Sequence, residues 1–299
     1  MTQTENDPAH SANRQRIMKA LGLDRYLQHR RCVDLGPLPL HCEIYPSEPH
    51  HPVVLFIPGI GTYSEIYTEF LYRFSQFGYN IVSLDLRGHG YSGGPRGDYS
   101  VEEVIKDLGL VVDYCQQQFS GPLVMFGCSI GARLGLAFAE ADSRVDALIC
   151  HTLFLNERPP DFWHQIGWNW LSLNALWMPQ LKTDFRQFVD INALLEHNPM
   201  GQYVNEDSML VWEYPLRTLN SAYSHPSRIL QRSLSIPALI LVGENDDVLR
   251  PDYLRGLADA SAQPFTLVEI PNAGHMLPFD QIAETLNETH NWLKNNVAL

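Results

Sequence analysis

Ser129 lies at the centre of residues 127–131, which read Gly-Cys-Ser-Ile-Gly. An apolar run at 123–126 precedes this pentapeptide, and a helix-like stretch at 132–138 follows it. A strand that turns abruptly into a helix needs glycine on both sides of the turn, and the central residue is forced into a strained conformation that pushes its side chain outward. The pattern therefore predicts that Ser129 is a nucleophile held on a sharp turn.

A serine hydroxyl becomes a useful nucleophile only when a base accepts its proton, and that base is commonly a histidine that a carboxylate orients. Asp246 follows the predicted strand at 238–242, and His275 follows the predicted strand at 266–270. The carboxyl ends of the strands in an open parallel sheet form the edge at which such folds bind ligands. We therefore expect Ser129, Asp246 and His275 to meet at that edge.

Attack on a carbonyl group also creates negative charge on oxygen, which backbone N–H groups can stabilise. One candidate is the amide of Ile130, directly after the serine, and the other is the amide of Ile60, which follows the first buried strand. Gly59 and Gly61 flank Ile60 and allow the backbone to bend towards a substrate. The sequence thus predicts an oxyanion site made by the Ile60 and Ile130 amides.

The elements that must position these residues are strands alternating with helices. A loosely alternating segment at 38–45 is typical of an edge strand, and short continuous apolar runs are typical of strands buried on both faces. Such runs occur at residues 53–57, 81–86, 123–126, 147–150, 238–242 and 266–270. Apolar residues at helical spacing lie between several of these runs. The alternation predicts an α/β fold with a mostly parallel, doubly wound sheet.

The alternation breaks at residues 151–227, where the sequence has no convincing strand and is rich in aromatic residues. Four of the six tryptophans lie between Trp163 and Trp177. We interpret this segment as a helical cap inserted into a core of residues 32–150 and 228–299, with residues 1–31 as an N-terminal extension. The aromatic rings of the cap either bind an apolar substrate or form the cap's own core.

The composition is that of a globular protein, since 45% of the 299 residues are hydrophobic and 18% are charged. The formal net charge of -13 argues against nucleic acid as a partner.

Five scattered cysteines without paired spacing are typical of reduced, mostly buried thiols. No apolar stretch is long enough to span a membrane, and the first residues do not resemble a signal peptide, so we expect a cytoplasmic protein.

The segment at 14–31 carries six basic residues and one acidic residue, with apolar residues between them. A helix packed on the body of the protein is our preferred interpretation. Peripheral contact with an anionic membrane is the alternative. The sequence does not indicate an oligomeric state.

Together these residues resemble the α/β-hydrolase family, and within it the capped serine hydrolases that include monoacylglycerol lipases and lysophospholipases. The resemblance covers about residues 38–293 and rests on the motifs at 58–61, 85–92, 127–131, 243–246 and 274–275. It implies that Ser129 is the nucleophile, His275 the base and Asp246 its carboxylate partner, with oxyanion amides at Ile60 and Ile130. It also implies that His89, in the loop after the fourth strand, is architectural.

The chain departs from the family pattern in two places. Pro58 stands where members usually carry histidine, which removes a side chain near the oxyanion loop and leaves the amides available. Asp247 stands beside Asp246, and counting back from Pro251 favours Asp247 whereas counting forward from Gly243 favours Asp246. We prefer Asp246 and keep Asp247 as the alternative acid.

The resemblance implies two-step acyl transfer on a small-molecule acyl ester, such as an acylglycerol, a lysophospholipid or a similar compound, without a metal or an organic cofactor. The aromatic residues of the cap favour a medium acyl chain or an aromatic acid as the acyl part. A serine at the turn argues against the related haloalkane dehalogenases and epoxide hydrolases, which use a carboxylate nucleophile. Three other reactions use the same catalytic residues: amide hydrolysis, carbon–carbon bond hydrolysis and perhydrolysis. A further alternative is a binding protein that keeps the fold without turnover.

Overall fold

The computed structural model describes residues 8–196 and 198–297. Within these residues the strands are β1 (Arg31–Leu35), β2 (Leu40–Tyr45), β3 (Val53–Ile57), β4 (Asn80–Leu84), β5 (Leu123–Cys128), β6 (Ala147–His151), β7 (Lys182–Asp184), β8 (Glu213–Pro215), β9 (Ala238–Gly243) and β10 (Phe265–Ile270). Eight of them form one sheet in the order β1-β2-β4-β3-β5-β6-β9-β10. The strands from β4 to β10 in this sheet are parallel, and β2 is antiparallel to both β1 and β4. The predicted α/β fold with a mostly parallel sheet is confirmed.

The helices of the described residues are α1 (Pro8–Ala20), α2 (Asp24–Leu27), α3 (Thr68–Ser75), α4 (Val101–Gln118), α5 (Ile130–Ala141), α6 (Phe162–Trp177), α7 (Ile191–Leu194), α8 (Leu216–Ser224), α9 (Pro251–Ala260), α10 (Leu277–Asp280) and α11 (Ile282–Asn296). Apolar residues of α4, α5 and α9 pack on one face of the sheet. Those of α1, α3 and α11 pack on the other face. Because helices cover both faces of the sheet, the central strands consist of continuous runs of apolar residues.

Three strands were not predicted. β1 pairs with β2, so the segment at 38–45 is not the edge of the sheet. β7 and β8 form a separate antiparallel pair inside the predicted cap, where we expected no strand. All three are short and carry charged residues, so they lack the apolar signal by which the other strands were recognised.

The turn between β5 and α5 leaves no room for side chains on its flanking glycines. A Cβ atom on Gly127 would lie 2.3 Å from the Cα atom of Ala132. A Cβ atom on Gly131 would lie 2.3 Å from the carbonyl oxygen of Ile57, at the end of β3. Helix α5 therefore passes directly over the end of β3, which brings the turn next to the loop that follows β3.

The N-terminal helix packs on the body of the protein, as preferred from the sequence. Ile17 and Met18 of α1 are buried. Arg14 is also buried and donates hydrogen bonds to the hydroxyl groups of Tyr63 and Tyr91. The apolar side chains of Ile17 and Met18 are therefore packed inside the protein and cannot insert into a membrane. This packing removes the support for membrane contact through this segment. None of the helices in the described residues combines the length and the apolar character needed to cross a bilayer.

His89 ties the loop after β4 to β8. Its Nδ1 lies 3.0 Å from the carbonyl oxygen of Arg87 and its Nε2 lies 2.7 Å from the hydroxyl of Tyr214. Nδ1–H therefore donates to the carbonyl group, and Nε2 accepts from Tyr214. Burial lowers the pKa of His89 to about 4, so the imidazole is neutral in the folded protein. These contacts agree with an architectural role.

We predict that Gly131→Ala lowers the free energy of unfolding by about 2–3 kcal/mol, because the new methyl group meets backbone atoms that cannot give way. Gly167→Ala is the matched control. Gly167 lies on the exposed face of α6 with no atom within 4 Å of a new Cβ, so alanine there should raise stability by about 0.5–1 kcal/mol. Urea unfolding measures both values. Equal effects at the two positions would contradict the packing described for the turn.

We predict that the stability contributed by the neutral His89 is lost as the pH falls from about 6.5 towards 4. The folded pKa of about 4 lies below the unfolded value, so the unfolded state binds the extra proton in this window. Between pH 6 and pH 4, the unfolding free energy of wild type should decrease as the pH falls. In His89→Gln, the slope of the unfolding free energy against pH should be smaller by about 1 kcal/mol per pH unit. The exposed His50→Gln serves as control, and parallel curves for wild type and His89→Gln would contradict the prediction.

Candidate active site

The structure places Ser129 directly before α5, in a strained backbone conformation. Its φ is 53° and its ψ is -116°. A positive φ is uncommon for a residue other than glycine and is retained only where the surrounding structure enforces it. The amide of Ser129 also donates to the carbonyl oxygen of His151 on the neighbouring strand β6. The half-buried side chain lines a cavity at the carboxyl edge of the sheet.

His275 and Asp246 are joined directly, with 2.8 Å between His275 Nδ1 and Asp246 Oδ2. The other carboxylate oxygen of Asp246 accepts from the amides of Val248 and Leu249, each at 2.9 Å. Burial alone would raise the pKa of Asp246, but the hydrogen bond and charge of His275 outweigh it and the pKa is lowered. Asp247 is exposed. The structure therefore brings Asp246, and not Asp247, to His275.

His275 also lines the cavity that Ser129 lines. Among the hydrogen bonds of the described residues, none joins Ser129 Oγ to His275; the bond of His275 is the one to Asp246. Such a bond is often long in an unliganded enzyme and tightens when substrate binds. The arrangement brings an alcohol, an imidazole and an ionised carboxylate to one edge of the sheet.

The Ile60 and Ile130 amides lie on the two segments that the glycine turn brings together. Ile130 is the first residue of α5, so its N–H has no partner within the helix and lies at the positive end of the helix dipole. Ile60 lines the cavity. Within the part of the chain that the structure describes, no hydrogen-bond acceptor is paired with the Ile60 amide. Both N–H groups remain free to bind an oxygen atom.

The loop that carries Ile60 is held from two sides. The hydroxyl of Tyr67 accepts from the Gly59 amide at 3.3 Å. On the other side, the Val211 amide donates to the carbonyl oxygen of Gly61 at 2.9 Å. Gly61 has a φ of 74°, and a Cβ atom there would lie 2.5 Å from the Val211 carbonyl oxygen. The predicted cap therefore positions the loop as well as covering it.

The cavity encloses about 140 Å³ and has an apolar wall. Most of that wall comes from the predicted cap and from α10 with the residue before it. The apolar residues concerned are Phe185, Val189, Ile191, Leu194, Leu195, Met200, Val204, Leu210, Trp212, Met276 and Phe279. No Asp, Glu, Lys or Arg side chain is among the described residues that line it. Its polar groups are concentrated around Ser129 and His275.

Most aromatic residues of the predicted cap fall into three groups, so neither of the two alternatives describes all of them. Phe185, Trp212 and Tyr223 line the cavity. Trp168 packs with Phe154 and Tyr223 in a small cluster. The third group is exposed on the surface and comprises Phe162, Trp163, Trp170, Trp177 and Phe188.

His151 lies in the cavity wall beside His275 and was not predicted from the sequence. It ends β6, one residue into the predicted cap, and its ring lies 5.5 Å from the His275 ring, centroid to centroid. Burial lowers its pKa to about 3, helped by the His275 imidazole, and the Asp246 charge and the His275 backbone only partly oppose this shift. The available signal was its position, since it follows an apolar run directly and so ends a strand at the edge where ligands bind.

Comparisons with known proteins agree with this fold. The sequence pattern of the family described as serine aminopeptidase, S33, matches residues 48–282. Epoxide hydrolase 3 of Xenopus tropicalis is 24% identical over 285 residues, which cover 84% of this chain and 73% of that protein.

Two solved lipase structures superpose on most of the chain. The monoacylglycerol lipase of Paleococcus ferrophilus gives a TM-score of 0.71 at 22% identity, covering 86% of this chain and 99% of that one. A soluble variant of monoglyceride lipase from Saccharomyces cerevisiae gives a TM-score of 0.73 at 18% identity. The superposition covers 90% of this chain and 96% of that one. Since the family match spans most of the chain and the fold agrees, the chain belongs to the serine aminopeptidase S33 family of α/β-hydrolases.

Proposed function

We propose that the protein is a serine hydrolase that cleaves carboxylic esters through an acyl-enzyme intermediate. The observation that carries this proposal is that Ser129, on its strained turn, shares one cavity with a His275 that is hydrogen-bonded to the buried Asp246. Membership of a hydrolase family supports the same reaction class.

In the proposed reaction, Ser129 Oγ attacks the ester carbonyl carbon while His275 Nε2 accepts the serine proton. The Ile60 and Ile130 amides stabilise the negative oxygen of the tetrahedral intermediate. His275 then gives its proton to the leaving alcohol, and an acyl-serine remains. Water attacks this ester with His275 as base and releases the acid. Asp246 holds the imidazole orientation and stabilises its positive charge in both steps.

The uncharged cavity favours an ester over a peptide substrate. A peptide with a free N-terminus brings an ammonium group, and burying that group without a partner is costly. The described residues of the cavity wall offer no carboxylate to pair with it. The apolar wall instead suits a hydrocarbon chain.

The size of the cavity favours a medium acyl chain or an aromatic acid. Because one water molecule needs about 10–15 Å³ of such space, the volume holds on the order of ten water-sized groups.

We infer that the chain acts in the cytoplasm without a metal or organic cofactor, since the free, mostly buried cysteines suit a reducing compartment and no step above requires such a group.

Ser129 is also what separates this proposal from the epoxide hydrolases, one of which is among the relatives. That resemblance extends to the fold, but the related epoxide hydrolases use a carboxylate nucleophile at the turn, where this chain has a hydroxyl. The other alternative, a binding protein of the same fold, predicts an intact cavity without turnover.

We predict that a fluorophosphonate probe labels the protein on Ser129, because the probe reacts only with an activated serine. Nitrophenyl esters of increasing chain length should show an optimum, since the cavity has a finite length. Ser129→Ala should abolish the labelling and most of the turnover. Intact mass spectrometry and absorbance assays measure these results. A folded wild type that is neither labelled nor active would favour the binding protein, and a flat chain-length profile would count against an acyl-binding cavity.

We predict that Asp246→Asn lowers kcat by about 10³- to 10⁴-fold, because asparagine cannot hold the imidazole in the required tautomer or stabilise its charge. Asp247→Asn is the matched control, because Asp247 is exposed and adjacent. It should leave kcat within about twofold. Steady-state kinetics on one ester decide the matter, and the reverse order of the two losses would contradict the assignment of the acid.

A further inference from the structure

Met200 lies between the cavity of Ser129 and His275, here called the substrate cavity, and a second, smaller cavity. Four buried residues line both spaces, and they form a partition between them: Ile66, Met200, Val204 and Leu210. Neither Ser129 nor His275 is among the described residues that line the second cavity. The partition therefore belongs to a side of the substrate cavity that lies away from the reacting groups.

The N-terminal helix forms the opposite wall of the second cavity. Ile17 and Met18 of α1, and Leu21 just after it, line this space. Ile17 and Met18 are buried. The family pattern matches residues 48–282, so α1 lies outside the part of the chain that the pattern covers. The second cavity thus depends on a segment that the family pattern does not include.

The second cavity is small and mostly apolar. It encloses about 10 Å³, which is about the space of one water-sized group. Asp207 also lines it, but its carboxylate oxygens already accept from the Tyr63 hydroxyl and the Met209 amide. Water in a cavity needs several polar partners, so a space with these walls suits a hydrocarbon group better.

The backbone of Met200 is fixed, whereas its side chain can change shape. Met200 lies in the turn Pro199–Gln202, and its amide donates to the side chain of Asn198 at 2.9 Å. The Asn198 side chain also donates to Asp280 Oδ1 at 2.6 Å, which ties the turn to α10. Methionine is unbranched and adaptable, whereas the other three residues of the partition are branched. Met200 is therefore the member of the partition whose side chain adjusts most easily.

We propose that Met200 limits the length of the acyl chain by closing the substrate cavity against the second cavity beneath α1. This inference rests on the proposed ester hydrolysis and deepens it, because it names the residue that sets the limit. A longer chain must displace the methionine side chain into tightly packed surroundings, so turnover falls beyond this length. Removal of the side chain joins the two cavities and lets the chain end contact Ile17 and Met18.

The size of the effect follows from the atoms that a substitution removes. Met200→Ala deletes Cγ, Sδ and Cε, which together with the second cavity leaves room for about two to four methylene groups. Each buried methylene group contributes about fourfold in binding. We therefore expect esters that exceed the wild-type optimum by about two to four carbon atoms to gain about 10- to 100-fold in kcat/KM, relative to the optimal ester.

The test measures kcat/KM for nitrophenyl esters from acetate to palmitate, each kept monomeric, in wild type and variants. We predict that the optimal chain becomes longer in Met200→Ala and, by a smaller amount, in Met200→Val. Met200→Leu keeps the volume of the side chain and should keep the wild-type optimum. Met178→Ala truncates an exposed methionine of the cap and is the control, which should also keep it.

A second substitution tests whether the chain end reaches α1. Met18→Phe in the Met200→Ala background refills the second cavity from the helix side, so the optimum should return towards the wild-type length. Met18→Phe alone should leave the optimum unchanged, because Met18 is not among the described residues that line the substrate cavity. Thermal unfolding of each variant checks that the compared proteins are folded.

An unchanged optimum in folded Met200→Ala and Met200→Val would overturn the inference. An equal shift in Met200→Leu would also overturn it, since leucine leaves the partition in place. A shift that Met18→Phe does not reverse would contradict the placement of the chain end beneath α1. A wild type that hydrolyses none of the esters contradicts the proposed function instead, whereas a wild type with an optimum that Met200 does not determine contradicts only the role of Met200.

Discussion

The close approach of α5 to the end of β3 is the constraint on which the site depends. Gly131 allows the helix backbone to touch the carbonyl oxygens of Ile57 and Pro58, and nothing larger fits there. This contact places the first amide of α5 beside the loop that carries Ile60. It also holds Ser129 in its strained conformation at the point where β5 ends. A strained conformation of this kind persists only because the surrounding structure excludes the relaxed backbone conformations.

The electrostatics of the site depend on which of its groups carry a charge and on how each charge is paired. The carboxylate of Asp246 is buried, but His275 and two backbone amides satisfy it. Around the reacting groups the cavity wall is uncharged in the described residues, so few water molecules compete there once a substrate is bound. In the proposed reaction, interactions between Ser129, His275 and the developing oxyanion would be stronger in such surroundings than in water.

Local sequence signals predicted the strands that carry the site, because a strand buried on both faces must be a continuous apolar run. They also predicted Ser129, Asp246 and His275 as residues at strand ends. β1 was missed because its partly exposed sequence lacks that signal. His151 was missed because its meaning comes from neighbours that are distant in sequence, Cys128 and His275. The division of the cap aromatics, with Trp163 and Trp177 on the surface and Trp212 in the cavity, depends on packing that residue spacing does not encode.

The most direct test of the central claim is a crystal structure of the protein after reaction with an alkyl fluorophosphonate. We predict a covalent bond to Ser129 Oγ and a phosphonyl oxygen within about 2.7–3.1 Å of both the Ile60 and the Ile130 nitrogen atoms. His275 should stay bonded to Asp246 and point towards the adduct. An adduct on another residue, or a phosphonyl oxygen turned away from both amides, would contradict the assignment of this site as that of a serine hydrolase.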